Sequence, residues 1–193
     1  GDTSASFLAL SKESDMKNNK PHFVLVHGAW HGGWVWAEVA QSLIYQGYSV
    51  TCPTQTGLGE RKHLLSSNIT LDTFIEDIVN HIIFNNLNNV ILVGHSFAGS
   101  TISGVADILK DRINRLIYFD AVILSDGQSP FDIAPPEVVK ERIALAEKSE
   151  GKLSIPAPTP EAFACKYNPR TPIIASRPCL SSCSCFSLYS SGE

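Results

Sequence analysis

The sequence predicts an α/β fold: a parallel sheet with helices on both faces. Three observations predict it. Apolar runs of strand length recur, helical-period apolar stripes lie between them, and glycine-rich or polar turns follow several runs.

The elements follow in order. His22 to His27 is a nearly continuous apolar run, suited to a strand buried on both faces. A Gly-rich turn, Gly28 to Gly33, leads into a helix with Trp36, Val39, Ala40, Leu43 and Ile44 on one face, and Gly47 stops it. Tyr48 to Cys52 is a second strand, broken by Pro53, and a loop with Gly57 and Gly59 runs to about Asn68. Thr70 caps a helix whose stripe runs Leu71, Phe74, Ile75, Ile78, Val79, Ile82 and Ile83. Val90 to Val93 is the third strand, followed by a helix carrying Ile102, Val105, Ala106 and Leu109. Leu116 to Phe119 is the fourth, and Pro135 to about Glu150 reads as a further helix. The expected strand spans are 22–27, 48–52, 90–94 and 115–120.

The 193 residues suffice for one domain, and 44% hydrophobic content is enough for a core. Residues 1–20 are expected to be a disordered extension or cloning remnant, with Met16 as a natural start. The core is assigned to 21–134, the start of a helical cap to 135–170, and an irregular Pro/Ser/Cys-rich tail to 171–193. A formal charge of −4 without a basic block argues against a nucleic-acid partner. No apolar run approaches the ~18 residues of a membrane span. Five cysteines without a disulfide framework point to a reducing compartment, read here as cytoplasmic. Cys179, Cys183 and Cys185 lack a following His or Asp to complete a zinc site, so neither metal nor cofactor is expected.

Gly94-His95-Ser96-Phe97-Ala98-Gly99 joins the third strand to a helix. A turn this sharp tolerates only small residues two positions either side of its tip, and Gly94 and Ala98 meet that need, although the strict pattern has Gly at 98. Ser96 is then the candidate nucleophile, with the alternative that it only caps a helix. The Phe97 amide, in the first helical turn, faces developing negative charge. A second amide is expected from the loop after the first strand, with Ala29 best placed. Gly28, Trp30 and His31 of that loop are candidate substrate contacts, His31 with the alternative that it lines the turn. His27 and His31 lack the Glu of a His-Glu-x-x-His metal motif, and Gly57-Leu58-Gly59 lacks the third glycine of a dinucleotide loop.

From Phe23 to about Ser129 the chain resembles the α/β-hydrolase superfamily. It is most similar to the branch holding plant methylesterases, hydroxynitrile lyases and bacterial esterases. The matching pieces are His27-Gly28-Ala29-x-His31-Gly32-Gly33-Trp34, Thr54-x-Thr56-Gly57-Leu58-Gly59-Glu60-Arg61, Gly94-His95-Ser96-Phe97-Ala98-Gly99 and Phe119-Asp120-Ala121. The resemblance implies a strand order of second, first, third, fourth. It also implies Ser96 as nucleophile and the Ala29 and Phe97 amides as oxyanion hole. Its lyases tend to carry Thr where this chain has Gly28, so Gly28 favours hydrolysis of a small carboxylic ester.

The family's triad runs Ser, then Asp or Glu, then His. All six histidines precede Ser96, so the expected base is absent from these residues. Asp120 occupies an alternative acid position, or serves as a turn residue. Two readings remain beside the ester hydrolase: a truncated, inactive hydrolase-like chain, and a lyase. Truncation would leave the fourth strand as an open edge prone to oligomer or aggregate formation.

Overall fold

The structure, a computed structural model, describes residues 20–157. Its sheet has four parallel strands: β1 (His22–Val26), β2 (Ser49–Thr51), β3 (Val90–His95) and β4 (Ile113–Phe119). They lie in the order β2-β1-β3-β4, as the resemblance implies. The register pairs Val26 with Gly94 and His95 with Phe119, which brings the carboxyl ends of the three longer strands together.

The helices are α1 (Ala37–Tyr45), α2 (Leu71–Phe84), α3 (Ala98–Ile108), α4 (Pro130–Ile133) and α5 (Pro136–Glu147). The main core lies between one sheet face and α2 and α3: Val24, Val26, Val90 and Leu92 meet Ile78, Ile82, Ile102 and Val105, all fully buried. On the opposite face Leu25, Val93 and Trp36 form a smaller cluster with Phe23, Ala40 and Leu43 beneath α1.

Three details differ from the sequence reading. The segment Gly33–Trp36 is a 3-10 turn ahead of α1, so Trp36 precedes the α-helix whose face it was expected to share. The loop after β2 contains another 3-10 turn, Gly59–Leu64. And β4 begins at Ile113, two residues before the expected 115, with Asn114 inside it, because pairing to β3 accepts polar residues on a strand with an exposed side. The cap assignment is described only for 135–157, where α5 lies. The extension apart from residue 20, the tail 171–193, and Cys165, Cys179, Cys183 and Cys185 lie outside the described residues. Among the described residues no helix is long and apolar enough to cross a membrane.

Candidate active site

Ser96 is the first residue beyond β3 and has φ +55, a left-handed conformation that costs a non-glycine residue on the order of 1–2 kcal/mol. The turn is fixed from outside. The Ser96 carbonyl accepts N–H bonds from Gly99 at 3.1 Å and Val122 at 2.9 Å, and its own N–H reaches the Phe119 carbonyl at 3.4 Å. The residue that this geometry makes indispensable is Gly99, since a Cβ there would sit 2.1 Å from the Val122 carbonyl oxygen. At Gly94 an added Cβ would come within 2.9 Å of the Ala98 carbonyl oxygen. Ala98 itself is fully buried in the core, so its methyl fits the turn.

The loop after β1 lies directly against the serine. A Cβ added to Gly28 would be 2.9 Å from both the Ser96 Cβ and His95 Nδ1. The Gly28–Ala29 peptide is held from behind. His27, fully buried, donates Nδ1–H to the Gly28 carbonyl at 2.8 Å. Its Nε2 accepts the Gln55 backbone N–H at 3.1 Å. A carbonyl only accepts and an amide N–H only donates, so these partners fix one neutral tautomer. In a trans peptide the N–H points opposite the carbonyl. With the Gly28 oxygen bound to His27, the Ala29 amide is turned the other way. The next carbonyl, of Ala29, accepts Nδ1–H of His31 at 2.6 Å.

Burial, opposed by the Gly28 hydrogen bond, pushes His27 down to about 4. Burial also lowers His31. His95 is lowered first by burial and then by His31, with the Asp120 carboxylate acting in the other direction. The His95 ring packs against Trp36 and Phe119, with centroids at 6.3 and 5.8 Å.

Sequence reasoning missed the network behind the loop. Gln55 Nε2 donates to the His27 carbonyl at 3.1 Å, and Gln55 Oε1 accepts Thr101 Oγ1–H at 3.1 Å from α3. Thr54 Oγ1 accepts the Gly33 N–H at 2.8 Å and donates to Glu60 at 2.6 Å. Asp77 of α2 receives the Thr56 N–H and hydroxyl at 2.6 and 2.7 Å and faces Arg61 at 3.6 Å. Gln55 is the variable position of the Thr54-x-Thr56 string, and no periodicity marks a polar loop residue as buried.

The structure thus brings Ser96 together with Gly28, beside Ala29 and His31, and Phe97 packs in one apolar cluster with Ala29 and Trp30. Asp120 follows β4 with φ +45 and is exposed. No described residue forms an ion pair with it. Among the described residues no group of three His, Cys, Asp or Glu side chains could hold a metal ion.

Comparison with known proteins bears on the fold and the family. The chain is 45% identical over 120 residues to a carbendazim hydrolyzing esterase of Nocardioides sp. (strain SG-4G), covering 62% of this chain and 50% of that protein. It is 34% identical over 119 residues to putative methylesterase 14, chloroplastic, of Arabidopsis thaliana, covering 60% and 34%. The chain therefore spans half the length of the first relative or less of the second. Among solved structures, an extracellular alpha/beta-hydrolase from a Paenibacillus species, described as sharing structural and functional homology with tobacco salicylic acid binding protein 2, superimposes with a TM-score of 0.66. That match has 37% identity and covers 72% of this chain and 55% of the other. The sequence model of the alpha/beta hydrolase family matches residues 23–178, and the chain belongs to that family.

Proposed function

We propose that this chain carries the nucleophile and oxyanion half of a carboxylic-ester hydrolase site. The observation that carries the reading is Ser96 at φ +55 with Gly28 packed against its Cβ. In this reading Ser96 Oγ attacks the ester carbonyl carbon, and the oxyanion is met by the amides of Ala29 and Phe97. The C–O bond to the leaving alcohol then breaks, the proton lost by the Ser96 hydroxyl ends on that alcohol, and water later cleaves the acyl-Ser96 ester to the free acid and restores the hydroxyl. Gly28, Trp30 and His31 flank a small ester, and Asp120 is the acid if a histidine joins it.

Three observations bear on the alternatives. A Thr at position 28 would put its Cβ 2.9 Å from the Ser96 Cβ, so the loop as built suits the hydrolytic reading over the lyase one. The 193 residues hold no histidine after Ser96. His27 has both nitrogens engaged and His31 has Nδ1 engaged. These observations favour a chain that, by itself, reacts slowly. The esterase and methylesterase names of its relatives support the substrate class, and the unframed cysteines support a cytoplasmic setting.

A fluorophosphonate probe tests the site. Expected is slow labelling, confined to Ser96 and lost in Ser96→Ala, with p-nitrophenyl acetate turnover several orders of magnitude below that of the Nocardioides esterase. Rapid stoichiometric labelling of Ser96 would overturn the slow reading and require a base among the upstream histidines. Labelling that survives Ser96→Ala, or none at all, would overturn Ser96 as nucleophile.

A further inference from the structure

Trp30 combines a strained backbone with a long-range hydrogen bond. It is a bulky residue with φ +62, in a region where such side chains are rare. Its indole Nε1–H donates to the Ile155 carbonyl at 2.9 Å, across 125 residues of sequence. Ser154 and Ile155 are only 4% exposed, although Lys152 and Pro156 beside them are exposed. That short segment is tied to α5. Ser149 Oγ–H donates to the carbonyl of the buried Ala146 at 2.8 Å, and the same oxygen accepts the Ser154 N–H at 3.3 Å. At its other end, Trp30 packs on the cluster of Ala29, Leu58 and Phe97. Contacts therefore run from the end of α5, through Trp30, to the cluster that holds Ala29 and Phe97, the residues whose amides are assigned to the oxyanion hole.

We propose that Trp30 is a positioning residue: through its hydrogen bond to Ile155, the segment after α5 holds the left-handed turn of the loop and so sets the aim of the Ala29 amide. The inference rests on reading Ala29 and Phe97 as oxyanion donors. It makes residues 154–155, far from Ser96 in sequence, part of what tunes that site. The rival is a loop set by His27 and His31 alone.

A double-mutant cycle on the 193-residue protein tests it. Trp30→Phe keeps the ring and removes the N–H; Ile155→Asp drives the buried segment toward water. Each is expected to lower the maximal fluorophosphonate labelling rate of Ser96 about three- to tenfold. The double variant should fall no further than the worse single one. Amide hydrogen exchange gives a second readout that needs no chemistry at Ser96. Trp30→Phe should speed exchange at Ser154 and Ile155, and Ile155→Asp should speed it at Ala29. If Ile155→Asp does not fold, exchange in Trp30→Phe decides alone. Unchanged exchange at 154–155 in folded Trp30→Phe, or additive rate losses, would overturn the coupling. Absent labelling of the unmodified protein with the exchange changes present would instead sink the nucleophile reading and leave the coupling standing.

Discussion

The two flanks of Ser96 are built differently. On the β2 side, His27, Thr54, Gln55, Thr56, Arg61 and Asp77 tie the loop after β1 to the loop after β2 and to α2 and α3 through short hydrogen bonds. On the β4 side the polar ties are fewer, two backbone bonds at Ser96 and the Ser103–Tyr118 hydroxyl pair at 2.9 Å, and the outer side chains are left exposed. Arg115, Ile117 and Phe119 pair in register with Ile91, Val93 and His95, and all three are exposed, Phe119 at 57%. The Trp36 indole nitrogen, beside Phe119 and His95, is the one buried side-chain polar atom without a partner among the described residues. An oxyanion loop must hold its amide still in a low-dielectric setting, which requires its peptide planes to be bonded from behind. A strand flank needs only shape, and it tolerates an open face at the risk of association.

The largest expected effect attacks the tied flank at its tightest point. A Cβ at Gly33 would lie 1.9 Å from the Cys52 carbonyl oxygen, backbone that cannot swing aside. Gly33→Ala should lose more than about 3 kcal/mol of stability in urea unfolding. A loss under about 1 kcal/mol would show that the two loops are not locked together, and the contrast between flanks would collapse.

How much of this was legible in the sequence follows from the same contrast. Strand order, the elbow at Ser96 and the helix at Pro136 depend on local pattern and on motif spacing, and they could be read. So could the placing of the loop after β1 beside Ser96, because the family motifs carry it. The clamp on the Gly28–Ala29 peptide could not. It depends on a ring nitrogen of His27 meeting the backbone of Gln55, 28 residues away. The Trp30–Ile155 bond was invisible for the same reason. The open face of β4 was half-legible: an edge strand over 115–120 was expected, but its start at Ile113, with the polar Asn114 inside it, was not.

A second test sharpens the contrast through pH. His27 is held near 4 against an ordinary value of 6.5, mainly by burial. The unfolded chain therefore takes up a proton at His27 before the native one does, and stability is lost as pH falls from about 6.5 toward 4. It levels off below that range, for a contribution of roughly 3 kcal/mol. His22 and His81, which share the Thr51 hydroxyl at 3.0 and 2.8 Å, are both lowered by burial and add in the same direction. Unfolding free energies across that window in His27→Asn should show a visibly shallower slope than the parent. An unchanged slope would move the acid sensitivity away from the loop and onto the His22–Thr51–His81 group.

The smallest effect on stability is expected on the open flank, where the consequence is association. Ile117 is 37% exposed on a strand that, among the described residues, pairs with one neighbour. More than a third of its surface is already open to solvent, so replacing it removes little buried surface. Ile117→Glu also places a carboxylate two residues from Arg115 on the same face of the strand, where opposite charges attract. Unfolding free energy should change by no more than about 1 kcal/mol. Sedimentation should nevertheless shift toward monomer, because a charge at an open edge opposes strand-to-strand pairing and blunts the apolar face beside it. If Ile117→Glu instead unfolds the protein, the β4 flank is as tightly built as the other and exposure there was a poor guide. If the stability holds and association is unchanged, self-pairing does not run through β4, and the apolar residues exposed on α1, Val39 and Ile44, become the next surface to charge.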